Sequence, residues 1–266
     1  MITRRTFLAS ALASSGLAKQ IRLNIGIGAF SYHNLSLDDM IVQLRELKIN
    51  EIEMSRGEFM LMNAPTAAMC EAARRKLDAA GIRCVSYYTA TIKNARDLDT
   101  AVQFARIFGA RNVSGDATGP VLNEIDQRFS REYLTFGIHN HWFKQKFAYE
   151  SVEDVLGALK ELSKTVGATL DVGQMAACGH DPVDAVRRLA PYLKLVHLKD
   201  VESAGAEHNV LLGTGVANIP GVMRELKRIR YDGLVAIEYE KEGEANEDMR
   251  KEIDYARRLA GWLPCA

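Results

Sequence analysis

The sequence predicts a single-domain (β/α)8 barrel, and three observations carry that expectation. Apolar runs bounded by Gly, Asn or Asp alternate with longer stretches of helical period, the alternation repeats eight times, and no low-complexity linker interrupts it. The length of 266 residues is near that at which one such barrel closes and short for two full domains.

Taken in order, strands are expected at about Leu23–Ile27, Asn50–Met54, Arg83–Tyr88, Asn112–Ser114, Leu134–His139, Ala168–Val172, Lys194–Leu198 and Leu234–Glu238. Helix starts stand between them: Ser36 with Asp39 three residues on, Asp181 before Pro182, and Asn218 close before Pro220. Met40, Leu44 and Leu47, and later Met249, Ile253, Ala256 and Leu259, recur at helical spacing, so one stripe of each helix faces the strands. The segment from Pro120 to Tyr133 is expected to hold only a short helix. An open doubly wound sheet is the rival architecture, and it calls for a glycine-rich phosphate turn after the first strand. Gly26-Ile27-Gly28-Ala29-Phe30-Ser31 lacks the third glycine.

The first eighteen residues differ in kind. Arg4-Arg5-Thr6-Phe7-Leu8 leads into an uncharged Ala/Ser/Leu stretch that ends Gly16-Leu17-Ala18 before Lys19. This resembles a twin-arginine export signal, and its apolar run is too short and too mild to span a bilayer. Residues 1–18 are therefore read as a cleavable signal and 19–266 as the barrel, with a periplasmic or extracytoplasmic destination and no membrane attachment after cleavage. The 34 basic and 34 acidic residues balance, which leaves no electrostatic footprint for nucleic acid or an anionic membrane. A small molecule is the expected partner, and a homo-oligomer is compatible with the composition. The four cysteines, Cys70, Cys84, Cys178 and Cys265, form no CxxC pair and read as packing residues, Cys178 in a loop.

In a parallel barrel the strand C-termini and the loops after them form the active face, so polar residues there are functional candidates. Four consecutive strands end in metal-ligating types: His139-Asn140-His141, Asp171-Val172-Gly173-Gln174, His197-Leu198-Lys199-Asp200 and Glu238-Tyr239-Glu240. Alternation along each strand sends His139 with His141, Asp171 with Thr169, His197 with Lys199, and Glu238 with Glu240 to the inside. Neighbouring strands lie about 4.8 Å apart, so inward side chains at matched height converge. Two carboxylates and two imidazoles around a vacant centre cost several kcal/mol in repulsion and desolvation, and one divalent cation resolves both.

With these motifs in hand, the chain resembles the xylose isomerase-like, or sugar phosphate isomerase/epimerase, TIM barrels over residues 20 to 262. The ordered set that carries the resemblance is Leu170-Asp171-Val172-Gly173, Gly179-His180-Asp181-Pro182, His197-Leu198-Lys199-Asp200, Leu212-Gly213-Thr214-Gly215 and Ile237-Glu238-Tyr239-Glu240. The resemblance implies one metal ion, manganese, magnesium or zinc, held by groups after strands five to eight. Asp171, His197 and Glu238 match the last three positions. At strand five most members have Glu in a Glu-Asn-His run, where this chain has His139-Asn140-His141, a subgroup pattern. With His139 as the fourth ligand the site is formally neutral, against one net negative charge for three carboxylates, which makes the metal a stronger Lewis acid.

The activity that the resemblance implies is isomerisation or epimerisation of a sugar or keto-sugar through a metal-stabilised enediolate. Losing one carboxylate weakens a symmetric two-base epimerisation and makes lyase chemistry on a 3-keto-glycoside an alternative. Glu238 is the expected proton acceptor, His141 the second acid/base and Lys199 an added positive group. Gln174, Trp142 and Glu53 are the expected substrate contacts. Trp142 and Phe143, with Phe30 and Tyr32, are candidates for an apolar wall, and Glu53 and Arg56 either reach substrate or form a rim ion pair. Glu240 reads as a rim residue pairing with Lys199 or Lys241. Lone His33, His180 and His208 read as ordinary polar residues, and Gly213-Thr214-Gly215 as a tight turn rather than a phosphate cradle. Two competitors remain from the sequence. An endonuclease of the same superfamily needs further ligands on strands two to four, where Ser86, Tyr88 and Ser114 stand. A non-catalytic sugar-binding barrel would not need to keep Asp171, His197 and Glu238 in register.

Overall fold

The computed structural model describes residues 21–55, 65–89, 91–142, 149–206, 209–240 and 246–262. The expected export segment, with Arg56, Phe143, His208, Lys241 and Cys265, lies outside them. Eight parallel strands close a barrel: β1 (Asn24–Gly28), β2 (Glu51–Ser55), β3 (Arg83–Tyr88), β4 (Asn112–Gly115), β5 (Thr135–His139), β6 (Val166–Asp171), β7 (Leu193–Leu198) and β8 (Leu234–Ile237). Each pairs with its neighbours in sequence, and β8 pairs back onto β1 through Asn24↔Leu234 to Ile27↔Ile237. Closure leaves the barrel no free edge.

The helices are α1 (Leu37–Glu46), α2 (Ala67–Ala79), α3 (Ala95–Phe108), α4 (Pro120–Glu132), α5 (Val152–Leu159), α6 (Val172–Ala177), α7 (Pro182–Leu189), α8 (Ile219–Arg228) and α9 (Asn246–Ala260). The three predicted caps hold: Ser36 accepts from Asp39 N, Asp181 from Val183 N, and Asn218 from Gly221 N. Met40 and Leu44 of α1 and Met249, Ile253 and Ala256 of α9 are buried against the strands. The segment after β4 departs from expectation, because α4 fills it with thirteen residues rather than holding only a short helix. Pro120 in its first turn pre-sets φ for the helix, and Leu122, Ile125 and Phe129 bury one face. Cys178 is the C-cap of α6 rather than a loop residue. No described helix is long and apolar enough to cross a membrane.

The main apolar core lies between the outer faces of the strands and the helices. Inside the barrel a smaller apolar group, Leu195, Leu234 and Ala236, is followed by a polar layer. Asn112 donates to Ser86 and Ser114, Ser86 donates to Glu53 at 2.7 Å, and Ser114 and Thr169 share a 2.7 Å hydrogen bond. That last bond passes across β5, where a Cβ on Gly137 would fall 2.1 Å from Thr169 Oγ1, so only glycine leaves room for it.

Between β7 and β8 the chain forms an antiparallel ribbon, Asp200–Val201 against Asn209–Val210. One carboxylate fixes this excursion: Asp200 accepts from the amides of Val201, Gly213, Gly215 and Ala217 at 2.9–3.0 Å. The Gly213 and Gly215 amides are thus committed to Asp200 and the Thr214 amide to Leu211 O, as a structural turn requires. Glu252 of α9 anchors the same loop by accepting from Leu212 N at 2.9 Å. Burial, with Asp200 and Asp248 adding to it and the Leu212 bond opposing it, raises the Glu252 carboxyl from 4.5 to about 8. A carboxyl raised in the fold binds more protons folded than unfolded, so its contribution to stability is present below about 4.5 and lost as pH rises to 8. Glu252→Gln keeps an acceptor without the charge. Its thermal midpoint is expected to gain on the wild type between pH 5 and 8.5, and parallel midpoints across that range would refute the assignment.

Candidate metal centre

The C-terminal ends of β5 to β8 deliver His139, Asp171, His197 and Glu238 to one point. One ligating atom from each lies within 4.8 Å of the others, and all four residues are buried. Among the described residues no other group of His, Cys, Asp and Glu converges this way. Register explains the convergence: Asp171 pairs with His197 across β6 and β7, and Glu238 N bonds Leu198 O just beyond β8. Asn140 locks the next pair of strand ends, donating to Asp171 O at 3.0 Å and accepting from Asp171 N at 2.9 Å.

Each imidazole presents one nitrogen to the centre and is held by the other. His139 Nε2 lies 3.0 Å from His197 Nδ1 and 3.8 Å from Asp171 Oδ2, while its Nδ1 is 2.8 Å from His141 Nε2. His197 Nδ1 lies 3.4 Å from Glu238 Oε2, and its Nε2 bonds Glu53 Oε2 at 2.5 Å. A carboxylate behind a ligating histidine fixes its tautomer and makes it more basic. Glu53 sits inside β2, almost fully buried and bonded to His197 and Ser86, and it also lines the cavity above the cluster, while Arg56 lies outside the described residues.

Lys199 is enclosed by three carboxylates. Its Nζ lies 3.1 Å from Asp171 Oδ2, 2.9 Å from Glu238 Oε2 and 2.6 Å from Glu240 Oε1, so Glu240 pairs with Lys199 as anticipated. The backbone of Gly173 makes room for this lysine, since a Cβ there would fall 2.7 Å from Lys199 Cγ. Burial pulls Lys199 down, yet the three carboxylates outweigh it and hold the ammonium well above its usual range. Burial likewise works against a charged His197, but Glu238, Glu53 and Asp171 push it up to about 9. His139 goes the other way, held well below 6.5 by burial first and then by the electrostatics of His141, His197 and Lys199 beside it. Burial also raises the Glu238 carboxyl, with His197 and Lys199 opposing. His197 Nδ1–H thus donates to a neutral His139.

This group fits a divalent ion. Asp171 spends Oδ1 on the Gln174 amide at 2.8 Å, while its buried Oδ2 faces the centre, 3.8 Å from His139 Nε2, with the Lys199 ammonium 3.1 Å away as its counter-charge. The two facing imidazole nitrogens and two carboxylates form a mixed N/O donor set that suits zinc or manganese better than magnesium.

A cavity of about 290 Å³ opens over the cluster, with Gly28, Phe30, Ser55 and Tyr88 in its wall beside His141, Gln174 and Lys199. His141 reaches it while contacting Asp116 Oδ2 at 3.3 Å and Tyr88 Oη at 3.2 Å. Gln174 is held by Trp142, whose amide donates to Oε1 at 2.8 Å. Trp142 lines a neighbouring cavity instead, and Tyr32 is buried in the core, so of the expected aromatic wall Phe30 alone borders the inner cavity among the described residues. His33 stacks on Phe30 outside the cluster, and His180 caps the turn after α6 through its backbone bond to Met175 O. The sequence reading missed Asp116 and Tyr88. Asp116 directly follows β4, so the strand-end argument applied there would have found it.

Comparisons with known proteins agree with the barrel fold. No curated protein sequence shows significant similarity to the chain. Solved structures share the fold at low identity. The probable 3-DHS dehydratase AsbF, involved in petrobactin synthesis, from Bacillus anthracis superposes with a TM-score of 0.72 at 15% identity, covering 87% of this chain and 97% of that one. A D-tagatose 3-epimerase-like protein gives 0.72 at 17%, covering 90% and 97%. The IolI protein, solved with a zinc atom, gives 0.67 at 13%, covering 90% and 95%. The sequence profile described as xylose isomerase-like TIM barrel matches residues 41–259, and the chain belongs to that family.

Proposed function

We propose that this protein is a divalent-metal-dependent enzyme that moves a proton next to the carbonyl of a sugar or keto-sugar, as an isomerase or epimerase. The observation that carries the reading is the convergence of His139, Asp171, His197 and Glu238 beneath a cavity. Those four side chains would hold the ion. When bound, it would supply Lewis-acid polarisation of a carbonyl and neighbouring hydroxyl, lowering the cost of removing the proton between them.

The chain's own groups account for the rest. Glu238 lines the cavity and has a raised pKa, which suits a carboxylate that must accept and return a proton. Lys199 balances the ligand carboxylates and borders the cavity, so its ammonium also favours negative charge developing on substrate oxygens. His141, backed by Asp116, also borders the cavity and is the second acid/base. Gln174 offers its free amide N–H groups to substrate hydroxyls. Incubation with substrate in deuterated water is expected to place deuterium on the carbon next to the carbonyl. Full retention of substrate hydrogen during turnover would point to hydride transfer and overturn the proton-transfer route.

A further inference from the structure

We propose that the substrate carries two sugar units, the reacting one in the inner cavity and the second in the cavity beside it. This rests on the preceding reading and adds a substrate class to it. The inner cavity has a volume of about 290 Å³ and the outer about 250 Å³, and Gln174 and Glu240 form part of both walls. Each alone lies at or below the lower end of the roughly 300–1,000 Å³ usual for small-molecule sites, while the two together fall well within it. A monosaccharide over the metal cluster leaves the outer space to water.

The outer cavity is a built compartment. Trp142 enters from the end of β5, Ala177 from α6, and Val201 and Asn209 from the two strands of the ribbon. That ribbon is pinned by the four amide bonds to Asp200, and Asp200 is itself buried. A wall fixed this firmly is poised to hold a ligand with little ordering cost.

Its chemistry selects a hydroxylated ring. Asn209 lines this cavity with only 8% of its surface exposed, and its buried Nδ2 has no hydrogen-bond partner, so it gains an acceptor when the side chain turns toward a bound hydroxyl. Gln174 uses Oε1 on the Trp142 amide and keeps its donors, and Glu240 uses Oε1 on Lys199 and keeps a second oxygen as acceptor. Amide donors, a carboxylate acceptor and one indole match a sugar, which has hydroxyls at its edge and C–H groups on its face. A purely apolar group would leave Asn209 Nδ2 unsatisfied.

The test is calorimetric titration of the full-length, zinc- or manganese-loaded protein with glucose, galactose and fructose beside cellobiose, lactose and lactulose. At least one disaccharide is expected to bind roughly tenfold or more tightly than its component monosaccharides. In Ala206→Phe, which narrows the outer cavity, and separately in Asn209→Leu, that ratio is expected to fall toward one, with circular dichroism checking that each variant folds. Equal affinity for one-ring and two-ring sugars in the wild type, or an unchanged ratio in both variants, overturns the proposal. A wild-type protein that retains no metal and binds neither size of sugar instead marks failure of the underlying metal-sugar reading, and the proposal falls with it.

Discussion

Lys199→Met is expected to lower the thermal midpoint of the metal-free protein by on the order of 10 °C. The ammonium is buried against Asp171, Glu238 and Glu240, and methionine of similar length removes the charge without leaving a large void. Deleting one partner of a buried ionic cluster costs about 3–5 kcal/mol, and each kcal/mol shifts a domain of this size by roughly 2–4 °C. The sign of the metal effect follows from the same electrostatics. A divalent cation supplies positive charge to the stranded carboxylates, so adding zinc or manganese is expected to raise the midpoint more in Lys199→Met than in the wild type. An unchanged midpoint in the metal-free variant would show that the three carboxylates do not depend on this lysine.

Glu238→Gln is expected to reduce kcat by about 10²–10⁴-fold and to suppress deuterium exchange to the same degree. Glutamine keeps an oxygen for Lys199 Nζ at the position where Glu238 lies 2.9 Å away, so the fold should tolerate it. It cannot accept the substrate proton. Exchange that persists while net conversion falls would move the base elsewhere, with His141 the next candidate on the cavity wall. Metal content must be measured in the same preparation, because Glu238 is also a proposed ligand.

The barrel and the quartet were legible because both depend on short-range rules. Strand alternation has period two, so a residue's side of the barrel follows from counting, and His139, Asp171, His197 and Glu238 fell where counting put them. Glu53 was not legible in the same way. Its partner His197 is 144 residues away, and a register shift between Ile52 and Glu53 against β3 resets which residues oppose each other. The ribbon at Asp200–Val201 and Asn209–Val210 was invisible because two-residue strands carry no periodicity. α4 was underestimated for a different reason. Asn123, Asp126, Gln127 and Ser130 dilute its sequence with weak or polar helix formers, and burial of Leu122, Ile125 and Phe129 decides the outcome.

The contact between His139 and His197 gives the account its sharpest test. Two ring nitrogens 3.0 Å apart, with carboxylate oxygens of Asp171 and Glu238 beside them, are arranged as donors to a shared cation. The direct measurement is the divalent-metal content of protein purified without chelator, beside an Asp171→Ala/His197→Ala double variant. About one ion per chain in the wild type, lost in the double variant, is the predicted result. No bound metal in the wild type, even after incubation with manganese or zinc, would contradict the central claim.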